Sequence, residues 1–453
     1  MTRRPPLVFR SRLPSPGLFA WVFAAVVAAA WSAPPAAAQP PGDEASQELP
    51  QEEIWGYVPP ENPPLLDIGG YIDVGFADVG GDGSSLSPRD HRLPADYGID
   101  PFQTAVNSRG DVASVDADGM FTNGFRPQSV GIGGRPSFLL NTVNLDLTHG
   151  APADPVLVFA RVQMLPRLGQ QGSETEVLVE QAFGRLTPWQ SQELFVSVGK
   201  LDSVFGIEYL ENQAPLRTGI TPSLLARYTT GPSLGAKVFY RFQIAPLWSA
   251  LSLNLAATTS GPFVASLQAS EASLTGRPVA TGRLGYELNL PSFQVKLGGS
   301  GLWGPRNDQG DDDARQEGYG VDARLYAFGL SLAAEYLVLD QDQGPAADKL
   351  TGQGPHFIAS GFHVRGGWGQ LTYSPPLPGG PRFQRVAAYL RVGHRRARFE
   401  GFPTVVVQRL TVGLRLDLWS ALALKAELLF NREAEGAPPV DNDVRAASLV
   451  WTF

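Results

Sequence analysis

The sequence predicts an all-β fold, an antiparallel transmembrane β-barrel of about 16 strands. Three observations predict it. Beyond one short apolar run near the start, no stretch of the 453 residues is apolar for long enough to cross a membrane as a helix, although 43% of the chain is hydrophobic. If such a chain enters a bilayer, a closed barrel is the other spanning solution, because lipid offers an open strand edge no hydrogen bonds. From Leu66 onward, hydrophobicity alternates with period two. The connections between these segments alternate too, short then long.

The first residues stand apart from this pattern. Arg3, Arg4, Arg10 and Arg12 precede an apolar run from Leu18 to Ala33, and Ala36-Ala37-Ala38 offers a small-residue cleavage site. The run is 16 residues long, short of the ~20 of a spanning helix, and Pro34-Pro35 ends it. Residues 1–38 are therefore expected to be a cleaved signal peptide. Their removal takes away four arginines and no acid, moving the formal net charge from −8 to −12, which argues against nucleic acid as a partner. Residues 39–65, rich in Pro, Glu and Gln, are expected to be a periplasmic leader before a barrel over 66–453. The chain has no cysteine, so no disulfide framework is available.

Along the barrel, Ile68, Gly70, Ile72, Val74 and Phe76 share one face, against Asp67, Gly69, Tyr71 and Asp73. Leu139, Asn141, Val143, Leu145 and Leu147 are expected opposite Leu140, Thr142, Asn144 and Asp146. Val156, Val158, Ala160, Val162 and Met164 oppose Arg161 and Gln163. The same contrast recurs at 234–242, 284–290 and 321–325. It is clearest where Leu410, Val412, Leu414, Leu416 and Leu418 face away from Arg409, Thr411, Gly413, Arg415 and Asp417. Roughly 17 strand-like runs can be counted, and an even number is required, so 356–373 is taken as one strand kinked at Gly366-Gly367.

Short connections are expected at 149–155, 187–191, 243–249, 291–292, 328–329, 374–384 and 419–420. Long ones are expected at 80–136, 166–176, 201–230, 260–278, 305–317, 341–354 and 433–441. A membrane barrel has short turns on one side and long loops on the other, whereas a soluble sandwich mostly uses short links. Aromatic residues sort with this division. Trp189, Trp248, Trp419 and Trp451 fall at short-turn ends, while Trp303, Phe399 and Phe430 fall at long-loop ends, as two interfacial girdles would.

The last strand, Val444 to Phe453, alternates to the terminus, with Leu449, Trp451 and Phe453 on one face. It resembles the terminal strand of bacterial outer-membrane barrels. That resemblance implies an assembly signal at these three residues, a barrel-assembly machinery as partner, and closure against the first strand.

About sixteen strands enclose an aqueous lumen, where eight would fill with side chains. The expected inward charges are Arg161, Lys237, Arg241, Arg283, Lys296, Arg324, Arg391, Arg395, Arg415 and Lys425, against Asp73, Asp146, Glu180, Glu287, Asp322, Glu335, Asp417 and Glu427. Two outcomes are open: a mild anion preference, or cross-strand ion pairing that leaves no selectivity. The apolar Leu210, Ile220, Leu224 and Leu225 suggest that loop 201–230 folds back inside or packs on the rim. Inside, Lys200, Glu208, Glu211, Arg217 and Arg227 would edge a constriction.

Gly199-Lys200 followed by Phe205-Gly206-Ile207-Glu208 resembles the strand-to-constriction segment of the phosphate-selective porins and their OmpL-like porin relatives. Gly69-Gly70-Tyr71-Ile72-Asp73, Thr411-Val412-Gly413-Leu414 and Leu424-Lys425-Ala426-Glu427 fit the same family more loosely. The resemblance implies a porin in a Gram-negative-type outer membrane, surrounded by lipid and passing small hydrophilic solutes, and it allows a homotrimer. Members that select phosphate crowd their constriction loop with basic residues. Loop 201–230 holds only Arg217 and Arg227, beside Asp202, Glu208 and Glu211.

Two other functions compete. A non-conducting receptor or adhesin barrel would use loop 80–136 as its recognition surface. A barrel-embedded hydrolase would need a pair such as Ser360 and His363. The five histidines show no catalytic or metal-ligand spacing, so no cofactor and no metal are expected. The acidic run Asp308 to Asp313 lacks the length and closing Glu of a Ca²⁺ loop, and Gly80-Gly81-Asp82-Gly83 is a turn with no helix after it to cradle a phosphate.

Overall fold

The computed structural model describes residues 66–80, 112–115, 121–126, 137–150, 154–165, 176–189, 193–202, 204–245, 248–259, 261, 276–305, 314–342, 362–376, 383–399, 404–436 and 439–453. The expected signal peptide and leader, most of loop 80–136, Ser360 and the acidic run 308–313 lie outside them.

Strands β1 (Asp67–Val79), β4 (Ser137–His149), β5 (Val156–Leu165), β6 (Glu176–Leu186), β7 (Glu193–Leu201), β8 (Ser233–Ala245), β9 (Ser249–Thr258), β10 (Val279–Leu290), β11 (Phe293–Pro305), β12 (Arg315–Ala327), β13 (Leu330–Gln341), β14 (Phe362–Tyr373), β15 (Phe383–Phe399), β16 (Val405–Leu418), β17 (Leu422–Glu435) and β18 (Val444–Thr452) form one closed antiparallel barrel. Each strand pairs with its sequence neighbours, and β1 also pairs with β18. The strand expected over 356–373 is the single strand β14. A separate hairpin, β2 (Val112–Val115) with β3 (Phe121–Arg126), lies within the long first connection. No helix among the described residues is long and apolar enough to cross a membrane.

The barrel closes where β18 meets β1. The Phe453 amide donates to the Gly70 carbonyl and the Gly70 amide donates back to Phe453, both at 3.1 Å. Just inside this seam, Asp73 accepts from Ser448 Oγ at 2.5 Å and from Asn141 Nδ2 at 3.0 Å, tying β1, β18 and β4 together. Leu449, Trp451 and Phe453 are exposed on the outer face, while Ser448 and Val450 are buried inside.

Asn141 corrects one face assignment. It was expected beside Val143 and Leu145, but it is buried inside with Asn144, while Phe138 and Leu140 are exposed outside. The cause is a bulge: Asp73 pairs with Thr142 and Val74 with Leu140, so one extra residue shifts the alternation. A second bulge, between Arg161 and Val162, leaves both Glu180 and Gln181 buried. One connection at the long-loop end is also short, the link between Phe399 and Val405. Across the middle of the strands the outer face is mostly apolar, and Trp189, Trp248, Trp303, Trp419, Trp451 and Phe430 are all exposed on the outside.

Candidate functional site

The site is built from the segment between β7 and β8, most of which lies against the inner wall. It leaves β7 after Leu201 and turns at Gly206, whose φ of +76° favours glycine. A Cβ there would lie 2.6 Å from Glu335 Oε1 and 2.7 Å from Thr229 Cγ2, so bulk is excluded as well as conformation. The tight turn presents the next amide to the wall: Ile207 N donates to Glu335 Oε1 at 2.6 Å. Trp368 Nε1 holds the other oxygen of that carboxylate at 3.0 Å. This is the physical content of the Phe-Gly-Ile-Glu sequence. A short 3₁₀ helix, Glu208–Glu211, follows, and Glu208 closes the loop on itself by accepting from the Ser223 amide at 2.9 Å and from the Ser223 hydroxyl. Burial pushes the Glu208 carboxyl above its ordinary range, with the Ser223 hydrogen bonds and Arg391 acting against that rise.

Around the barrel, wall side chains bond the loop backbone. Lys425 places all three of its ammonium donors on loop carbonyls, Ala214 and Arg217 at 2.5 Å and Gly219 at 3.0 Å. Glu427 accepts from the Ile220 amide at 2.8 Å, from the Thr221 amide at 3.0 Å and hydroxyl at 2.8 Å, and from the Tyr389 hydroxyl. Gly219 leaves room for this, since a Cβ there would lie 2.2 Å from Glu427 Oε1. Arg391 donates to the carbonyls of Thr221 at 2.6 Å and Pro222 at 3.0 Å, and Arg415 to that of Arg217 at 3.0 Å. On the far side, Gln213 bridges three strands. Its oxygen accepts from Tyr71 at 2.8 Å and Asn144 at 2.6 Å, and its amide donates to Glu180 at 3.0 Å.

An apolar strip holds the loop's other pole. Phe205, Ile207, Leu224, Leu225 and Tyr228 pack with Val279, Leu302, Leu337, Leu339, Val364, Trp368, Ala397, Val405 and Val407 of the inner wall, with Leu210 against them. Ile220 packs on a second patch with Ala77, Val79, Leu429, Val444 and Ala446. Beside its charged residues, the inner wall therefore carries apolar patches. The signal was present in the sequence: Tyr336-Leu337-Val338-Leu339 and Val405-Val406-Val407 are apolar on both faces, as strands covered on both sides are.

The remaining wall is a ladder of ion pairs. Arg161 meets Asp146 through two bonds at 2.6 and 2.7 Å. Arg241 lies 3.2 Å from Glu193 and 3.0 Å from Glu287, with Lys296 3.8 Å from the same Glu287. Arg283 meets Asp322 at 2.7 Å, and Arg415 meets Asp417 at 2.7 Å. Arg324 reaches the loop itself, at Glu211, 2.7 Å away. Lys237 and Arg395 are also buried on the inside, and Lys200 is buried at the end of β7. Arg217 lies in the loop and uses its carbonyl as an anchor, while Arg227 stands in the 3₁₀ turn Ala226–Tyr228. The structure thus gathers Glu208, Glu211 and Arg217 with Arg324, Arg391, Arg415 and Lys425 around one loop. Arg241, Arg283 and Lys296 lie in the ladder away from it. His363 contacts Asp340 at 2.5 Å.

No protein-family profile matches the chain, and no curated protein matches its sequence. Among solved structures, the outer membrane channel DcaP of Acinetobacter baumannii is similar, at 12% identity and a TM-score of 0.49, over 86% of this chain and 97% of that one. The anion-selective porin from Comamonas acidovorans is similar at 11% identity and a TM-score of 0.45, over 86% and 99%. OmpF of Salmonella typhi follows at 13% identity and 0.46, over 86% and 97%.

Proposed function

We propose that this chain is an outer-membrane porin, exported with loss of residues 1–38, through which small hydrophilic solutes diffuse passively, with loop 201–230 narrowing the lumen. The supporting observation is the contrast between the two faces of one closed sheet. Its outside is apolar and rimmed by exposed tryptophans, while its inside carries paired charges and a loop bonded to it. A wall of this kind suits a bilayer outside and water inside.

Selectivity is expected to be weak. Arg161, Arg241, Arg283, Lys296, Arg324 and Arg415 each face a carboxylate, so their fields partly cancel where solutes pass. A mild anion preference would arise from Arg217 and Arg227 at the loop. Phosphate selectivity is not part of this reading, because the loop itself is poor in basic residues.

Reconstitution into planar bilayers tests the proposal. Steady open steps are expected, with larger steps when 209–228 are replaced by a short Gly-Ser linker in a barrel that still assembles. Neutralising Arg217 and Arg227 together should move the reversal potential toward cations. A silent wild-type protein would refute the pore and favour a receptor barrel. Unchanged conductance in the linker variant would remove the loop from the pore.

A further inference from the structure

The outer face carries a feature that a pore does not need. Along β15 its outward residues are Val386, Ala388, Leu390 and Val392, and then His394, Arg396 and Arg398. The apolar part covers about 20 Å of strand at ~3.4 Å per residue, and beyond it every outward position is basic. Neighbouring strands change character at the same end. On β17, Leu424, Ala426, Leu428 and Phe430 give way to Arg432, and β14 carries Arg365 and His363 outward, alternating with buried Val364.

The pairing register brings these residues together. Arg365 lies directly across from Arg396, His363 from Arg398, and Gly367 from His394. His394 pairs onward with Gln408, and Gln408 with Arg432. Two like charges facing each other across adjacent strands destabilise a sheet. Arg365, Arg396, Arg398 and Arg432 have no ion pair or side-chain hydrogen bond among the described residues. The outward acids stand at the margins: Asp340 is taken by His363, and Glu435 faces Val406, one strand beyond Arg396.

We infer that this patch on β14–β16, with Arg432 at its edge, binds the phosphate of an anionic lipid head group in the leaflet around the long-loop end of the barrel. The inference rests on the reading of the barrel as membrane-spanning. Three features select a lipid phosphate. The arginines point away from the lumen, so a solute in transit does not meet them. They begin where the apolar belt ends, the depth at which head groups lie. Paired guanidinium groups offer parallel N–H donors that match phosphate oxygens, and an anion between Arg365 and Arg396 turns their repulsion into attraction. A second copy presenting the same patch would set arginine against arginine.

Native mass spectrometry of the folded protein in detergent, titrated with phosphatidic acid or with phosphatidylcholine, tests this. Wild type should retain phosphatidic acid and release phosphatidylcholine. The double variant Arg365→Gln/Arg396→Gln should bind phosphatidic acid roughly 30-fold more weakly, at about a factor of five per arginine near a lipid surface. Arg445→Gln, at an outward position already near Asp78, should bind like wild type. Each variant is also inserted into planar bilayers, and unaltered conductance certifies its fold. Arg398→Gln alone, with a smaller loss, serves should the double variant not assemble. Equal retention by wild type and the double variant overturns the inference. So does displacement of the lipid by inorganic phosphate, or a change of oligomeric state with lipid retention intact. A wild type that conducts but retains no phosphatidic acid overturns the patch alone, whereas one that never inserts overturns the membrane reading as well.

Discussion

Glu427→Gln is the most direct probe of how the loop is held. The substitution keeps the side chain's size and removes one acceptor oxygen together with the charge. In the structure that carboxylate accepts from the amides of Ile220 and Thr221 and from the hydroxyls of Thr221 and Tyr389, and the side chain is 2% exposed. A glutamine can accept at only one oxygen, so the donors on the other meet an NH₂ group. Hydrogen bonds to a charged partner contribute about 1.5–3 kcal/mol each, so losing two costs roughly 3–6 kcal/mol. That changes the ratio of anchored to released segment by roughly a hundred- to ten-thousand-fold. The anchor is buried, so added salt does little to screen it. Residues 219–222 should then fluctuate between Lys425 and Arg391, whose bonds to Gly219 and Thr221 remain. Single-channel recordings should show added open-state noise at an unchanged heat-modifiable band on gels. Quiet traces identical to wild type would show that the Glu427 contacts do not hold the loop, and the reasoning from buried donors would fail.

Other outcomes follow from the same structure. Deleting Trp451 to Phe453 removes the pairs Ile72 with Trp451 and Tyr71 with Thr452, and the reciprocal Gly70–Phe453 bonds. Export should continue while the heat-modifiable form disappears; a normal yield of that form would refute the closure argument. Leu414→Arg puts a charge on an outward position 58% exposed, and an unfolding titration in lipid should show a loss of about 2–4 kcal/mol if that position lies near the midplane. Gly206→Ala forces an L-residue to a φ of +76° against Glu335 and Thr229, costing about 1–2 kcal/mol before any clash. Protease protection of the loop reports it, and full protection would mean the turn relaxes freely.

The barrel was legible in the sequence because alternation in a half-buried sheet is imposed residue by residue. Leu410 to Leu418 announces its two faces without help from any neighbour. The bulge at Asn141 was not legible, since an extra residue is recognised only when the partner strand's register is known. The loop's destination was half legible. Leu224 and Leu225 are too apolar to leave in water, but the strip that receives them is assembled from six strands far apart in sequence. The anchoring carboxylates were legible as inward charges and illegible as anchors. Nothing near Glu335 or Glu427 in the chain names a backbone amide more than a hundred residues away.

That last point bears on how lumen charge should be counted. A loop lying inside a barrel carries its own backbone donors and acceptors, and each one shielded from water needs a partner. Regular secondary structure cannot supply them, because the described loop contains only two short 3₁₀ turns. The wall supplies them instead: Lys425, Arg391 and Arg415 serve carbonyls, and Glu335 and Glu427 serve amides. Five of the inward charges therefore stabilise the loop at close range. Most of the others cancel in pairs across strands. The difference between basic and acidic totals on the inner face would thus overstate the field in the proposed pore. In the pore proposed above, Arg217 and Arg227, carried by the loop itself, would then weigh most on ion preference. Their joint neutralisation should alter ion preference more than removing any paired arginine of the ladder, such as Arg283 beside Asp322.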